Sequence, residues 1–96
     1  MVLYFGDPRG GLALLEKGIK LLGVVHGRRG GPGWQSFVPK VKHLPRWTTP
    51  DLDDPQIRAD LLALKPKLIV ACFYPRIIPI GLLDEVAGIN VHPSDL

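Results

Sequence analysis

The chain reads as an α/β protein with a parallel sheet covered by helices. Two observations predict this. Short continuous apolar runs, Val2–Phe5, Leu21–Val25 and Leu68–Phe73, suit strands buried on both faces. Between them, apolar residues recur at helical spacing, so the order is strand, helix, strand, a unit whose two strands run parallel with a right-handed crossover.

Each element follows from its residues. Val2-Leu3-Tyr4-Phe5 is closed by Gly6-Asp7-Pro8-Arg9-Gly10-Gly11, which reads as a turn. Leu12, Leu15 and Ile19 mark one face of a helix that Gly18 can end in a left-handed conformation. Leu21–Val25 is the second strand. The stretch 27–50 is rich in Gly and Pro and holds both tryptophans. It reads as irregular, with a mobile loop over Gly27–Gly33 and a short strand near Val41–Leu44. Asp54-Pro55 then starts a helix, with Asp as N-cap and Pro in the first helical position. Ile57, Leu61 and Leu64 are its buried stripe, and Lys65-Pro66 stops it. After Leu68–Phe73 come a loop over Tyr74–Pro79, a short helix around Gly81–Val86, and a last strand, Gly88–His92, closed by Pro93. The sum is a Rossmann-like sheet of four or five strands with two or three helices, in one domain over residues 1–96.

Composition fits a soluble globular protein: 46% of the 96 residues are hydrophobic, 22% are charged, and the net charge is +3. No apolar run approaches the roughly 20 residues that span a bilayer. The apolar start has no basic leader and is cut short by Asp7, Pro8 and Arg9, so a cytoplasmic protein is expected. Cys72 is the only cysteine and sits in an apolar run, where a buried packing role is expected. His26, His43 and His92 lack the spacing of metal ligands, and no metal site is expected. Asp51, Asp53 and Asp54 suit a helix start rather than a pair of catalytic carboxylates. Trp34, Phe37, Lys40, Lys42, Arg46 and Trp47 mix bases with aromatics, but loop aromatics usually pack back over the sheet.

In open α/β sheets, ligands bind beyond the carboxyl ends of the strands. Gly6–Gly11, Tyr74–Pro79 and the end of the last strand should converge there. Asn90 and His92 are two apart on a strand and so share a face. An amide and an imidazole aimed together at a crevice can stabilise an oxyanion and move a proton. By itself the pair is a weak signal.

Leu68-Ile69-Val70, Pro79 through Leu83, and Gly88-Ile89-Asn90-Val91-His92-Pro93-Ser94 together resemble the folate-dependent formyltransferase family. That family includes enzymes acting on methionyl-tRNA, glycinamide ribonucleotide and sugar amines, and a formyltetrahydrofolate hydrolase. Most of the likeness lies in Leu61–Ser94, and residues 27–50 carry none. The resemblance implies transfer of a formyl group from 10-formyltetrahydrofolate to an amine on a tRNA-linked amino acid, a ribonucleotide or a sugar. Asn90 and His92 would be catalytic. Arg76, Ile77, Ile78 and Ser94 would line the folate pocket, and Gly6, Asp7 and Gly10 would lie on the acceptor side. The family's third catalytic residue, an Asp well downstream of the His-Pro-Ser motif, has no counterpart here. The chain is therefore expected to be the amino-terminal part of a longer enzyme, with an exposed sheet edge available for association. Asp95 stands where many members have Leu, which leaves the subfamily open.

The rival reading is a non-catalytic nucleotide- or dinucleotide-binding module on the same fold. The fingerprint Gly-x-Gly-x-x-Gly is absent, because Gly6, Gly10 and Gly11 have the wrong spacing. The second strand is followed by His26-Gly27-Arg28-Arg29, expected as a solvated loop, where a dinucleotide site would carry an acid.

Overall fold

The computed structural model describes residues 1–27, 33–72, 74 and 88–91. They form β1 (Val2–Gly6), α1 (Pro8–Glu16), β2 (Leu21–His26), α2 (Trp34–Val41), β3 (Arg46–Thr48), α3 (Pro55–Leu62), β4 (Leu68–Cys72) and β5 (Gly88–Val91). The strands make one sheet in the order β3-β2-β1-β4-β5, with every neighbouring pair parallel. This is the α/β Rossmann-like architecture expected from the apolar runs. Among the described residues, no helix is long and apolar enough to cross a membrane.

The sheet separates two cores. Leu3, Phe5, Val25, Ile69 and Ala71 pack with Leu52 and Leu61 on the α3 face. Val2, Tyr4, Leu21, Val24 and Val70 pack with Phe37 and Val41 on the α1/α2 face. Burial on both faces is why these strands are continuously apolar rather than alternating. The change of parity in β2 has a local cause. Val2 aligns with Leu21, but Leu3 aligns with Gly23, so β2 holds one extra residue and its pattern slips by one.

Helix α1 ends as a Schellman motif: the Ile19 amide donates to Leu14 O and the Gly18 amide to Leu15 O, both at 3.0 Å. Gly18 takes the left-handed φ of 77° that this cap requires. Helix α3 begins at Asp54, whose side chain accepts from the Gln56 amide, and it ends before Lys65-Pro66 as its sequence indicates.

Two expectations fail in 27–50. Trp34–Val41 is a helix, although its Pro39 removes an amide donor and no side chain caps its start at Gly33. Burial overrides that weak propensity: Phe37 and Val41, four apart, insert into the α1/α2 core, with Phe37 edge-on to Tyr4. The short strand lies at Arg46–Thr48 rather than Val41–Leu44, because Arg46 aligns with Val24 and the Val24 amide reaches the Pro45 carbonyl at 3.0 Å. Residues 28–32 of the expected mobile loop, and the whole of the expected short helix at Gly81–Val86, lie outside the described residues.

Candidate functional site

The order β3-β2-β1-β4-β5 reverses direction at β1 and β4, so the ligand crevice of this architecture lies beyond their carboxyl ends. Gly6 aligns with Cys72 there, and the Asp7 amide extends the ladder by donating to Cys72 O at 3.2 Å. Gly6 has a φ of 154°, and a Cβ on it would lie 1.9 Å from Cys72 O. A Cβ on Gly10 would meet Tyr4 Oη at 2.3 Å and Cys72 Cβ at 3.0 Å. Both glycines therefore let the start of α1 press against β1 and β4. The expected turn over Gly6–Gly11 is shorter than its glycines suggest, since α1 already begins at Pro8.

Asp7 organises this corner. Its Oδ1 accepts from the Arg9 amide (3.1 Å) and the Gly10 amide (3.3 Å), and its Oδ2 accepts from Arg9 Nε (2.9 Å) and Nη2 (2.7 Å). Below it, the buried Tyr4 hydroxyl donates to Asp7 O at 2.7 Å. Burial pushes the Tyr4 phenol far above its usual range, aided by the neighbouring Cys72 and Asp7. Burial likewise raises the Cys72 thiol, with the Asp7 carboxylate adding to the effect and Arg9 opposing it. Neither group is poised as a proton donor or nucleophile near neutral pH. Cys72 is half-buried, packed against the α1/α2 core rather than fully enclosed as its apolar run suggested.

The arrangement also bears on anion binding. A helix N-terminus attracts phosphate through free amides. In α1, Pro8 has no amide hydrogen and the next two amides are held by Asp7, so an incoming phosphate would meet a carboxylate.

The remaining expected residues divide sharply. Asn90 lies in β5, aligned with Ala71 of β4, with Val91 aligned to Cys72. Asn90 is thus one strand from the β1/β4 switch, near the carboxyl end of its own strand. His92, Arg76, Ile77, Ile78 and Ser94 lie outside the described residues. Tyr74, just after β4, packs edge-to-face on Phe5 with ring centroids 5.3 Å apart, which places the start of that connection on the α3 face. Among the described residues, no group of three His, Cys, Asp or Glu side chains could hold a metal.

His26 differs from expectation. It is only 2% exposed, not part of a solvated loop. Its Nδ1 lies 2.9 Å from Gly27 O, and its ring meets Trp34 edge-on with centroids 4.7 Å apart. The signal was present in strand parity. His26 is two residues beyond Val24, whose side chain enters the α1/α2 core.

No family model matches this chain, and no curated protein sequence matches it. Its fold is similar to the crystal structure of a 4-N formyltransferase from Francisella tularensis, with a TM-score of 0.52 and 21% identity. That match covers 96% of this chain and 38% of the other, so this chain spans well under half the length of that structure. At this identity the likeness supports the α/β fold and its strand arrangement.

Proposed function

We propose that this chain supplies the formyl-donor side of a one-carbon transferase, with 10-formyltetrahydrofolate as donor and an amine as acceptor. The observation that carries the reading is the sequence Asn90-Val91-His92-Pro93-Ser94, whose first two residues end β5, in a sheet similar to that of a formyltransferase. In the proposed reaction the acceptor nitrogen attacks the formyl carbon, forming a C–N bond and a tetrahedral oxyanion. The intermediate collapses by breaking the bond to N10 of the folate. Asn90 donates a hydrogen bond to the oxyanion, and His92 relays the proton lost by the amine to N10. Arg76, Ile77, Ile78 and Ser94 form the folate wall, and Gly6, Asp7 and Gly10 border the acceptor. The first free amides of α1 are already held by Asp7, which weighs against a phosphate seated there and so against the dinucleotide reading.

Titration of the chain with 5-formyltetrahydrofolate, followed by NMR, tests this. The expected result is shifts at Arg76–Ile78 and Asn90–His92. A folded chain that ignores formyl-folate but responds to NAD around Asp7–Gly10 overturns the proposal in favour of a dinucleotide module. In a full-length enzyme carrying these residues, His92→Ala should lower turnover by about 100-fold or more without unfolding it.

A further inference from the structure

Charge is unevenly spread along this chain. Seven of the twelve Lys and Arg residues, and none of the nine Asp and Glu residues, lie between Lys17 and Pro50. The fold gathers much of this charge at the amino ends of the strands, opposite the candidate site. Crossover helices run antiparallel to the strands they connect, so α1 and α2 both finish at that end. Lys17 is the C-cap of α1, and Lys42 is the C-cap of α2, with Lys40 in its last turn. Lys20 O accepts from the Val2 amide at 3.0 Å, and the Lys67 amide donates to Met1 O at 3.2 Å, so these two lysines flank the start of β1. Arg46 opens the adjoining edge strand, β3.

Helix dipoles account for part of this pattern. A cation beside a helix C-terminus offsets its exposed carbonyls, which is reason enough for Lys17, Lys40 and Lys42. The dipole does not explain Lys20 or Lys67, which lead into strands. Nor does it consume the charge: all five lysines are exposed, and none joins an ion pair among the described residues. Glu16 is a nearby acid at the end of α1, while Asp84 and Glu85 lie outside the described residues. Met1 is the one large hydrophobic residue exposed among those described, so the described part of this face is cationic rather than apolar.

We propose that the face formed by Lys17, Lys20, Lys40, Lys42 and Arg46 at the amino ends of β2 and β3 binds the phosphate backbone of nucleic acid without reading its sequence. Binding of this kind is driven by release of condensed counterions, so its signature is salt dependence. Four phosphate contacts to a single strand predict a fall in affinity of roughly 50-fold between about 50 mM and 200 mM salt.

The test is fluorescence anisotropy of a labelled poly(U) oligonucleotide with the full chain at both salt concentrations. Binding with that salt dependence, weakened about 10-fold or more by K20E/K42E and retained by K20R/K42R, is the expected result. Both positions are exposed, and circular dichroism checks that each variant folds. No binding at low salt overturns the proposal, and so does equal loss in the arginine variant, because charge would then not be the determinant. Tighter capture by phosphatidylserine vesicles than by poly(U) at equal phosphate would assign the face to anionic membranes instead. None of these outcomes depends on formyl-folate binding, which is read at the opposite end of the sheet.

Discussion

Two helices in this chain start with the same dipeptide, Asp7-Pro8 and Asp54-Pro55, yet the two junctions are built very differently. At Asp54 one carboxylate oxygen takes the Gln56 amide at 2.9 Å, and both Asp54 and Pro55 remain exposed. At Asp7 the carboxylate holds two amides and the Arg9 guanidinium, its backbone is tied to Tyr4 Oη and Cys72 O, and Pro8 is buried. The first is a local cap that needs only its own residues. The second joins β1, α1 and β4 at the point where the sheet order reverses. The same local chemistry becomes part of a candidate site only where tertiary contacts fix it from several sides.

The sharpest way to break this comparison is Gly6→Ala. The added Cβ would meet the backbone of β4, which cannot swing aside as a side chain could, and a φ of 154° is foreign to alanine. We expect a loss of about 3 kcal/mol or more in urea denaturation. Gly18→Ala is the control: its φ is also positive, at 77°, but a Cβ there meets nothing within 4 Å. It should cost about 1 kcal/mol, the backbone term alone. Equal effects at the two glycines would show that the close approach to Cys72 contributes nothing.

Tyr4→Phe should come next. It removes the bond from the buried hydroxyl to Asp7 O, at a cost of roughly 1 kcal/mol near neutral pH. It should also change the response to alkali. The folded-state pKa of Tyr4 lies above its unfolded value of about 10, so the unfolded chain releases this proton first. Stability is therefore full below pH ~10 and falls as pH rises beyond it, by at most about 1.4 kcal/mol per unit. Replacement with Phe should flatten that limb. Cys72 works in the same direction, with a raised thiol, so its alkylation by iodoacetamide should need higher pH in the folded chain than in the urea-unfolded chain. Matching pH profiles for folded and unfolded chain would contradict the burial assigned to this corner.

The difference between the two junctions also explains what could be read from sequence. Asp54-Pro55 precedes a clean stripe of Ile57, Leu61 and Leu64, so its helix was legible. Asp7-Pro8 is followed by Gly10 and Gly11, which mimic a turn. Their real cause lies far off in sequence: Gly10 faces Cys72, and Gly11 makes room for the Phe37 ring. Helix α2 was hidden similarly, because Pro39 argues against a helix locally while Phe37 and Val41 hold it through packing. Strands were easiest, since burial on both faces writes itself as a continuous apolar run. In the candidate site, the place of Asn90 near the end of β5 followed from the short strand pattern Gly88–His92 closed by Pro93. The burial of His26 did not, because basic residues beside it suggested solvent.

The two caps can also be compared directly, with the smallest effect expected at Asp54. Asp54→Ala removes one amide acceptor at an exposed helix start and should cost about 0.5–1 kcal/mol. Asp7→Ala removes the acceptor of two amides and should cost about 1–2 kcal/mol. The Arg9 ion pair adds little to that difference, because its guanidinium side is 55% exposed and solvent screens it. Asp7→Asn separates the two contributions, since an amide oxygen can still accept from Arg9 and Gly10 while the charge is gone. If capping dominates, Asn should recover most of the stability lost in Ala at every salt concentration. If the ion pair dominates, Asn should resemble Ala at low salt and converge with wild type only when salt is raised. The same variant bears on the site, because it removes the negative charge at the start of α1 and takes the carboxylate away from the Arg9 guanidinium, although the two amides stay capped. Tighter phosphate binding by Asp7→Asn than by wild type is the outcome that follows if this carboxylate keeps phosphates away from the β1/β4 switch.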